Sequence, residues 1–516
     1  MRARGKARKP TAPPAPRRPG SRGWKGRGGG ASVYIQAPDE WRSTTNQACG
    51  LWPFAAGTGS PMSGVPLGRN LVSGATLCGD PISWFQDAKL INNPSCFVLG
   101  LPAYGKSTLV RRMTLGLAGY GTVPLILGDL KPDYVDLVNA LGGQVIPLGR
   151  SRGYLNVLDP GEATAAAARL TGTARLELLA DARGRRHTMV CALIKILRNA
   201  APNDREETML DRALQVLDER HPGIPVLRDL VAVLEDGPDA VREVALDRGN
   251  VERYRDLIEN LLVSLKGMQG SGRVGEIFAE QTSVPMRRDI PVVFDVSSIP
   301  DTETALQGAA LMACWSAGFG AVNVAHALAD AGLEPERHYW IVLDEVWRSL
   351  RAGLVDNMDG VTRLNRNEGV GQAMITHTMS DLEALPREED RMKARGFVER
   401  AGMVLCGALP PGEFRKLRNV MAFSDAEEEM VGGWTNPPAW DAGGATKVPK
   451  IPPGCGNFLA KVGGRPGVPF RVVLTDAELA MNDTNRRWHT KSRIEAAAEF
   501  GVADAAATPD ARTVTS

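Results

Sequence analysis

Short apolar runs recur along the chain, separated by longer stretches whose apolar residues return every three or four positions. Residues 96–99, 123–127, 291–296, 340–345, 372–376 and 402–406 are nearly continuous in apolar or β-branched side chains, and each is too short for a buried helix. Strands without an alternating polar face are covered on both sides, as in a parallel sheet with helices above and below. The pattern therefore predicts an α/β fold on a mostly parallel sheet, with any ligand beyond the carboxyl ends of the strands.

Between residues 161 and 285 this rhythm gives way to Ala, Leu, Arg and Glu at helical spacing, punctuated by Pro and Gly, which predicts an all-helical insertion. Residues 241–266 read as one amphipathic helix, with Val244, Tyr254, Leu257, Leu261 and Leu262 among charged side chains. Residues 305–329 carry no Asp, Glu, Lys or Arg, and the stretch exceeds the ~20 residues that span a bilayer. Gln307, Ser316, Asn323 and His326 interrupt it, and Gly318 and Gly320 weaken an isolated helix, so it is read as a buried helix packed on the sheet. Residues 457–462 and 468–474 flank Gly463-Gly464-Arg465-Pro466-Gly467, which predicts a β-hairpin. The chain then divides into a disordered basic arm (1–40), a short lead-in (41–90), a core in two parts (91–160 and 286–425) around the insertion (161–285), a carboxyl-terminal segment with the hairpin (426–490) and a loose tail (491–516).

At 516 residues there is room for two or three domains. The net charge of +2 hides an asymmetry: Arg2, Arg4, Lys6, Arg8, Lys9, Arg17, Arg18, Arg22, Lys25 and Arg27 stand in the first thirty residues without one acid. The remaining 51 basic and 59 acidic residues make the body mildly acidic. An arm this polar cannot bury a core and is expected to be disordered, with nucleic acid, anionic lipid or an acidic partner as its candidate contacts. It lacks the apolar centre of a secretory signal, so a cytoplasmic location is expected. Seven scattered cysteines, without a C-x-x-C pair or zinc spacing, read as reduced thiols.

The chemistry is concentrated in Gly100-Leu101-Pro102-Ala103-Tyr104-Gly105-Lys106-Ser107-Thr108, which meets the phosphate-loop pattern G-x-x-x-x-G-K-[ST] between a predicted strand and a predicted helix. Gly100 and Gly105 let the backbone curl so that successive N–H groups face one phosphate; Lys106 adds a mobile positive charge and Ser107 a hydroxyl for magnesium. Asp344 and Glu345, ending the 340–345 strand, supply a second metal ligand and a group to activate water. His377, after the 372–376 strand, is a candidate sensor beside a terminal phosphate. Arg363 and Arg366 share one helical face and are candidates to complete a neighbouring subunit's site.

These residues resemble the conjugative type IV secretion ATPases (TraC-like), within the FtsK/HerA group of ring motors. Beyond the loop, the resemblance rests on Asp80-Pro81, Asn92-Asn93, Asp129-Leu130-Lys131-Pro132-Asp133-Tyr134, Leu141-Gly142-Gly143, Leu155-Asn156-Val157-Leu158-Asp159, Gly275-Glu276-Ile277-Phe278 and Phe294-Asp295-Val296. Leu343-Asp344-Glu345-Val346-Trp347 and Thr376-His377-Thr378-Met379-Ser380-Asp381-Leu382 continue it, so that it covers roughly residues 50–490. It implies a RecA-like P-loop fold, ATP and Mg2+ as ligands, and a homo-oligomeric ring, most often a hexamer, working against inner-membrane channel components at the inner face of the membrane. Three departures matter. His377 stands where the family has Gln, Pro102 and Tyr104 replace small loop residues, and only about 95 residues precede the loop, so the family's larger amino-terminal domain is expected to be missing or reduced. Three functions stay open: an ATP-hydrolysing motor of DNA or protein transfer, a DNA translocase or coupling protein, and an ATP-binding scaffold without turnover.

Overall fold

The computed structural model describes residues 61–269, 275–351, 353, 355, 358, 369–437 and 452–481. The basic arm, the loose tail, Arg363 and Arg366 lie outside the described residues. The described strands form one sheet: β1 (Pro66–Asn70), β2 (Thr76–Cys78), β3 (Ser95–Leu99), β4 (Val123–Asp129), β5 (Gln144–Pro147), β6 (Val292–Asp295), β7 (Tyr339–Leu343), β8 (Val370–Ile375), β9 (Met403–Cys406), β10 (Asn457–Lys461) and β11 (Val468–Val472). Their order is β2-β1-β11-β10-β9-β3-β8-β7-β4-β6-β5.

From β9 to β5 every neighbouring pair is parallel. From β9 outward to β2 every pair is antiparallel. The predicted hairpin is thus β10–β11, and it extends the central sheet instead of standing apart from it. Lead-in strand β1 pairs with β11, and Asp80 holds the lead-in together by accepting Val65 N–H at 3.0 Å and Ser83 N–H at 2.7 Å.

Alternate side chains of the central strands feed two cores, as a period of two requires. Cys96, Val98, Ile126, Val342, Ala373 and Ile375 pack with Leu109, Val110, Met113 and Leu117 of the helix Lys106–Gly119. Phe97, Leu99, Leu125, Leu127, Ile341 and Met374 face the other way, toward the long helix Thr304–Asp330. Full burial of one such side chain contributes about 1.5–3 kcal/mol. The Trp340 indole also donates to Thr114 Oγ1 at 3.0 Å, fixing the helix Lys106–Gly119 against β7.

The helix Thr304–Asp330 is long and apolar enough to cross a membrane, but 78% of its most apolar window is buried in the protein. Its Trp315 indole donates to Leu127 O on β4 at 2.9 Å. Gly318 permits that approach, because a Cβ there would meet the Leu127 side chain at 2.5 Å.

Between β5 and β6 the main elements are helices: Ala163–Arg169, Gly172–Arg198, Asp204–Arg220, Leu227–Asp236, Asp239–Ala245 and Val251–Gly267. The single helix expected over residues 241–266 is two. Leu246 (φ +57°), Arg248 (φ +58°) and Gly249 (φ +77°) are left-handed. Asp247 accepts Gly249 N–H at 2.9 Å, and Asn250 accepts Arg253 N–H at 3.2 Å to start the second helix. A local side-chain turn therefore outcompetes helical continuation.

Candidate active site

β3 delivers the chain at Leu99 into a loop pinned to the ends of both neighbouring strands. Gly100 N–H donates to His377 O beyond β8, and Leu101 N–H to Ala408 O beyond β9, each at 2.9 Å. Ala103 (φ +66°) and Gly105 (φ +92°) take left-handed conformations that turn the chain back, and the helix Lys106–Gly119 starts with no side-chain cap. Its amino-terminal N–H groups and dipole thus face the concavity of the loop, the arrangement that holds phosphate. The carboxyl-terminal segment braces the loop from outside: Gly456 N–H donates to Tyr104 O at 3.1 Å, and the Tyr104 hydroxyl to Thr435 O at 3.3 Å.

The buried Lys106 ammonium is curled onto its own loop, with Nζ 2.7 Å from Gly100 O, 3.1 Å from Leu101 O and 3.0 Å from His377 Nδ1. Burial lowers its pKa to about 8, although the charges of Asp344 and Glu345 pull the other way. An ammonium held by carbonyls and an imidazole nitrogen, with no carboxylate among the described residues in direct contact, is available to an incoming phosphate.

β8 lies between β3 and β7, so His377 sits between the loop and the two acids. Its Nε2 is 3.3 Å from Glu345 Oε2. One neutral tautomer satisfies both contacts, with Nδ1 accepting from Lys106 and Nε2–H donating to Glu345. Burial, the largest cause, and the Lys106 charge lower the His377 pKa, and Glu345 opposes them.

Asp344 follows β7 and is half-buried. It accepts the Tyr134 hydroxyl at 3.2 Å and Glu345 N–H at 2.8 Å. Burial, reinforced by Glu345, Asp133 and Asp129, raises its pKa to about 7. Glu345 is left-handed (φ +52°) and has both carboxylate oxygens engaged, Oε1 by Lys131 Nζ at 2.7 Å and Oε2 by the Trp347 indole and His377.

Magnesium fits this donor set. Ser107 lies beside Asp133, and the crowding of Asp129, Asp133 and Asp344 is relieved by a divalent cation. Among the described residues no three His, Cys, Asp or Glu converge on one point. The ion would therefore be held by Ser107 and Asp344 with phosphate oxygens and water, the usual habit of magnesium.

The predicted loop, Asp344, Glu345 and His377 are brought together in one site. Asp129, Lys131, Asp133 and Tyr134, a segment of the resemblance with no role assigned to its residues, belong to it as well. Their sequence signal was the run of polar residues at the end of an apolar strand.

This sheet order, loop and acidic strand end define a RecA-like P-loop nucleoside-triphosphatase fold. VirB4 of Thermoanaerobacter pseudethanolicus shares it, with a TM-score of 0.57 at 18% identity over 81% of this chain and 99% of that one. The plasmid coupling protein TrwB with ADP and Mg2+ gives 0.46 at 11% identity over 79% of this chain and 90% of that one. No family model and no curated protein matches the sequence.

Proposed function

We propose that the chain is a magnesium-dependent ATPase that works as a ring, with a hexamer expected, and powers transfer of DNA or protein through a conjugative or type IV secretion-like channel. The observation that carries this reading is the placement of Lys106, Ser107, Asp344, Glu345 and His377 within one cluster at the carboxyl ends of adjacent parallel strands. In that cluster Lys106 and the loop N–H groups hold the phosphates, Ser107 and Asp344 hold magnesium, and Glu345 orients water. Catalysis then consists of positioning and electrostatic stabilisation. The VirB4 fold and the motif resemblance support the transfer role. Arg363 and Arg366 are proposed to serve an adjacent subunit's site, and the basic arm to contact DNA. Membrane channel components at the inner face of the membrane are the proposed docking partners.

Hydrolysis measured at rising protein concentration, with and without DNA, tests the ring. Cooperative, concentration-dependent turnover is expected; a specific rate independent of concentration in a monomeric protein would refute shared sites. Strong DNA stimulation would favour the translocase reading. A scaffold without turnover is favoured by one observation, that His377 engages both Lys106 and Glu345. That reading predicts ATP binding and assembly in the wild type, with hydrolysis appearing only in His377→Gln.

A further inference from the structure

The turn after β4 reaches three functional groups of the site at once. The Asp129 carboxylate accepts the backbone N–H groups of Lys131 (3.4 Å), Asp133 (3.1 Å) and Tyr134 (2.8 Å), folding residues 129–134 back over the strand end. This aims Tyr134 at Asp344, Asp133 at Ser107 and Lys131 at Glu345. Tyr134 is fully buried and Asp133 half-buried, whereas the Lys131 side chain is 55% exposed against 8% for Glu345. Lys131 thus approaches Glu345 from the solvent side, on a flexible stem that can withdraw without disturbing the core.

A carboxylate that orients an attacking water must present a lone pair to it. Trp347 and His377 take both lone pairs of Oε2, so Oε1 is the oxygen left to face a water. Oε1 is held by Lys131. We propose that Lys131 is a positioning residue that restrains Glu345 by holding Oε1, so that Glu345 engages water only in the fraction of molecules in which the lysine has withdrawn toward solvent. The proposal rests on the reading of Glu345 as the water-activating group.

The test uses the full chain with Lys131→Met and Lys131→Arg. A half-exposed ion pair shifts a population by only a few-fold, so kcat is expected to rise roughly two- to fivefold in Lys131→Met. KM and the affinity for a fluorescent ADP should stay unchanged, and Lys131→Arg should return kcat to the wild-type level. A lower kcat in Lys131→Met with ADP affinity intact would overturn the proposal, because Lys131 would then serve the reaction instead of restraining it. A second readout needs no turnover. The Trp347 contribution to nucleotide-free fluorescence, obtained by subtracting Trp347→Phe spectra, should shift in Lys131→Met, since the indole shares the carboxylate that is freed. An unshifted Trp347 signal would also overturn the restraint. Wild-type turnover in Glu345→Gln would instead remove the reading on which it rests.

Discussion

Nucleotide affinity should weaken above pH 8, because Lys106 is the one cation held inside the phosphate loop and burial lowers its pKa to about 8. The sign follows from which form binds. The ammonium attracts phosphate and the neutral amine does not, so affinity is retained below pH 8 and lost as the proton leaves. With that pKa the protonated fraction falls from about 0.9 at pH 7 to about 0.1 at pH 9, which raises the apparent Kd for ADP about tenfold. A lysine at the ordinary value of 10.5 would change the affinity by less than about a tenth over the same range. The assay is titration of a fluorescent ADP at saturating magnesium, so that hydrolysis does not intervene and Asp344, whose pKa lies near 7, is already ionised over most of the range. A flat profile from pH 7 to 9 would refute the claim that Lys106 is a desolvated lysine acting directly on phosphate.

Truncation of the same side chain, Lys106→Ala, should reduce ADP affinity by at least tenfold and abolish the pH dependence, with the melting temperature as the check that the fold survives. Magnesium-assisted binding should weaken in acid, since Asp344 is protonated as pH falls through about 7; titrating Mg2+ at pH 6 and pH 8 should show the tighter binding at pH 8. On the stability side, the Lys461 ammonium is buried and bonds to Glu427 Oε1 at 3.0 Å, Glu427 Oε2 at 3.1 Å and Arg465 O at 3.0 Å. Glu427→Ala leaves that charge unpaired and should cost about 3–5 kcal/mol in urea unfolding.

The parallel half of the sheet could be read from sequence because β3, β4 and β6 to β9 are buried on both faces and so carry almost no polar residues. β5 and the lead-in strands β1 and β2 escaped notice. β1 is Pro-Leu-Gly-Arg-Asn, whose composition reads as turn, and β5 is Gln-Val-Ile-Pro, with only two strand-forming residues before a proline. What stabilises them is pairing with strands distant in sequence, β1 with β11 and β5 with β6. The helix break at residues 246–250 was missed because apolar periodicity continues across it, while the side-chain hydrogen bonds of Asp247 and Asn250 decide the local conformation.

In the site, loop and acid identities were legible because their chemistry restricts residue type. The Lys131–Glu345 contact joins positions 214 apart, and nothing in a local pattern encodes it. His377 follows an apolar run readable in the sequence, but its double contact with Lys106 and Glu345 emerges only from β8 lying between β3 and β7.

The central claim, that Glu345 activates water for ATP bound to the Lys106 loop, is tested most directly by a retention assay with radiolabelled ATP and magnesium on wild type and Glu345→Gln. The predicted result is ADP and phosphate release by the wild type, and ATP retained unhydrolysed by Glu345→Gln at wild-type occupancy. Phosphate release by Glu345→Gln at the wild-type rate would contradict the claim.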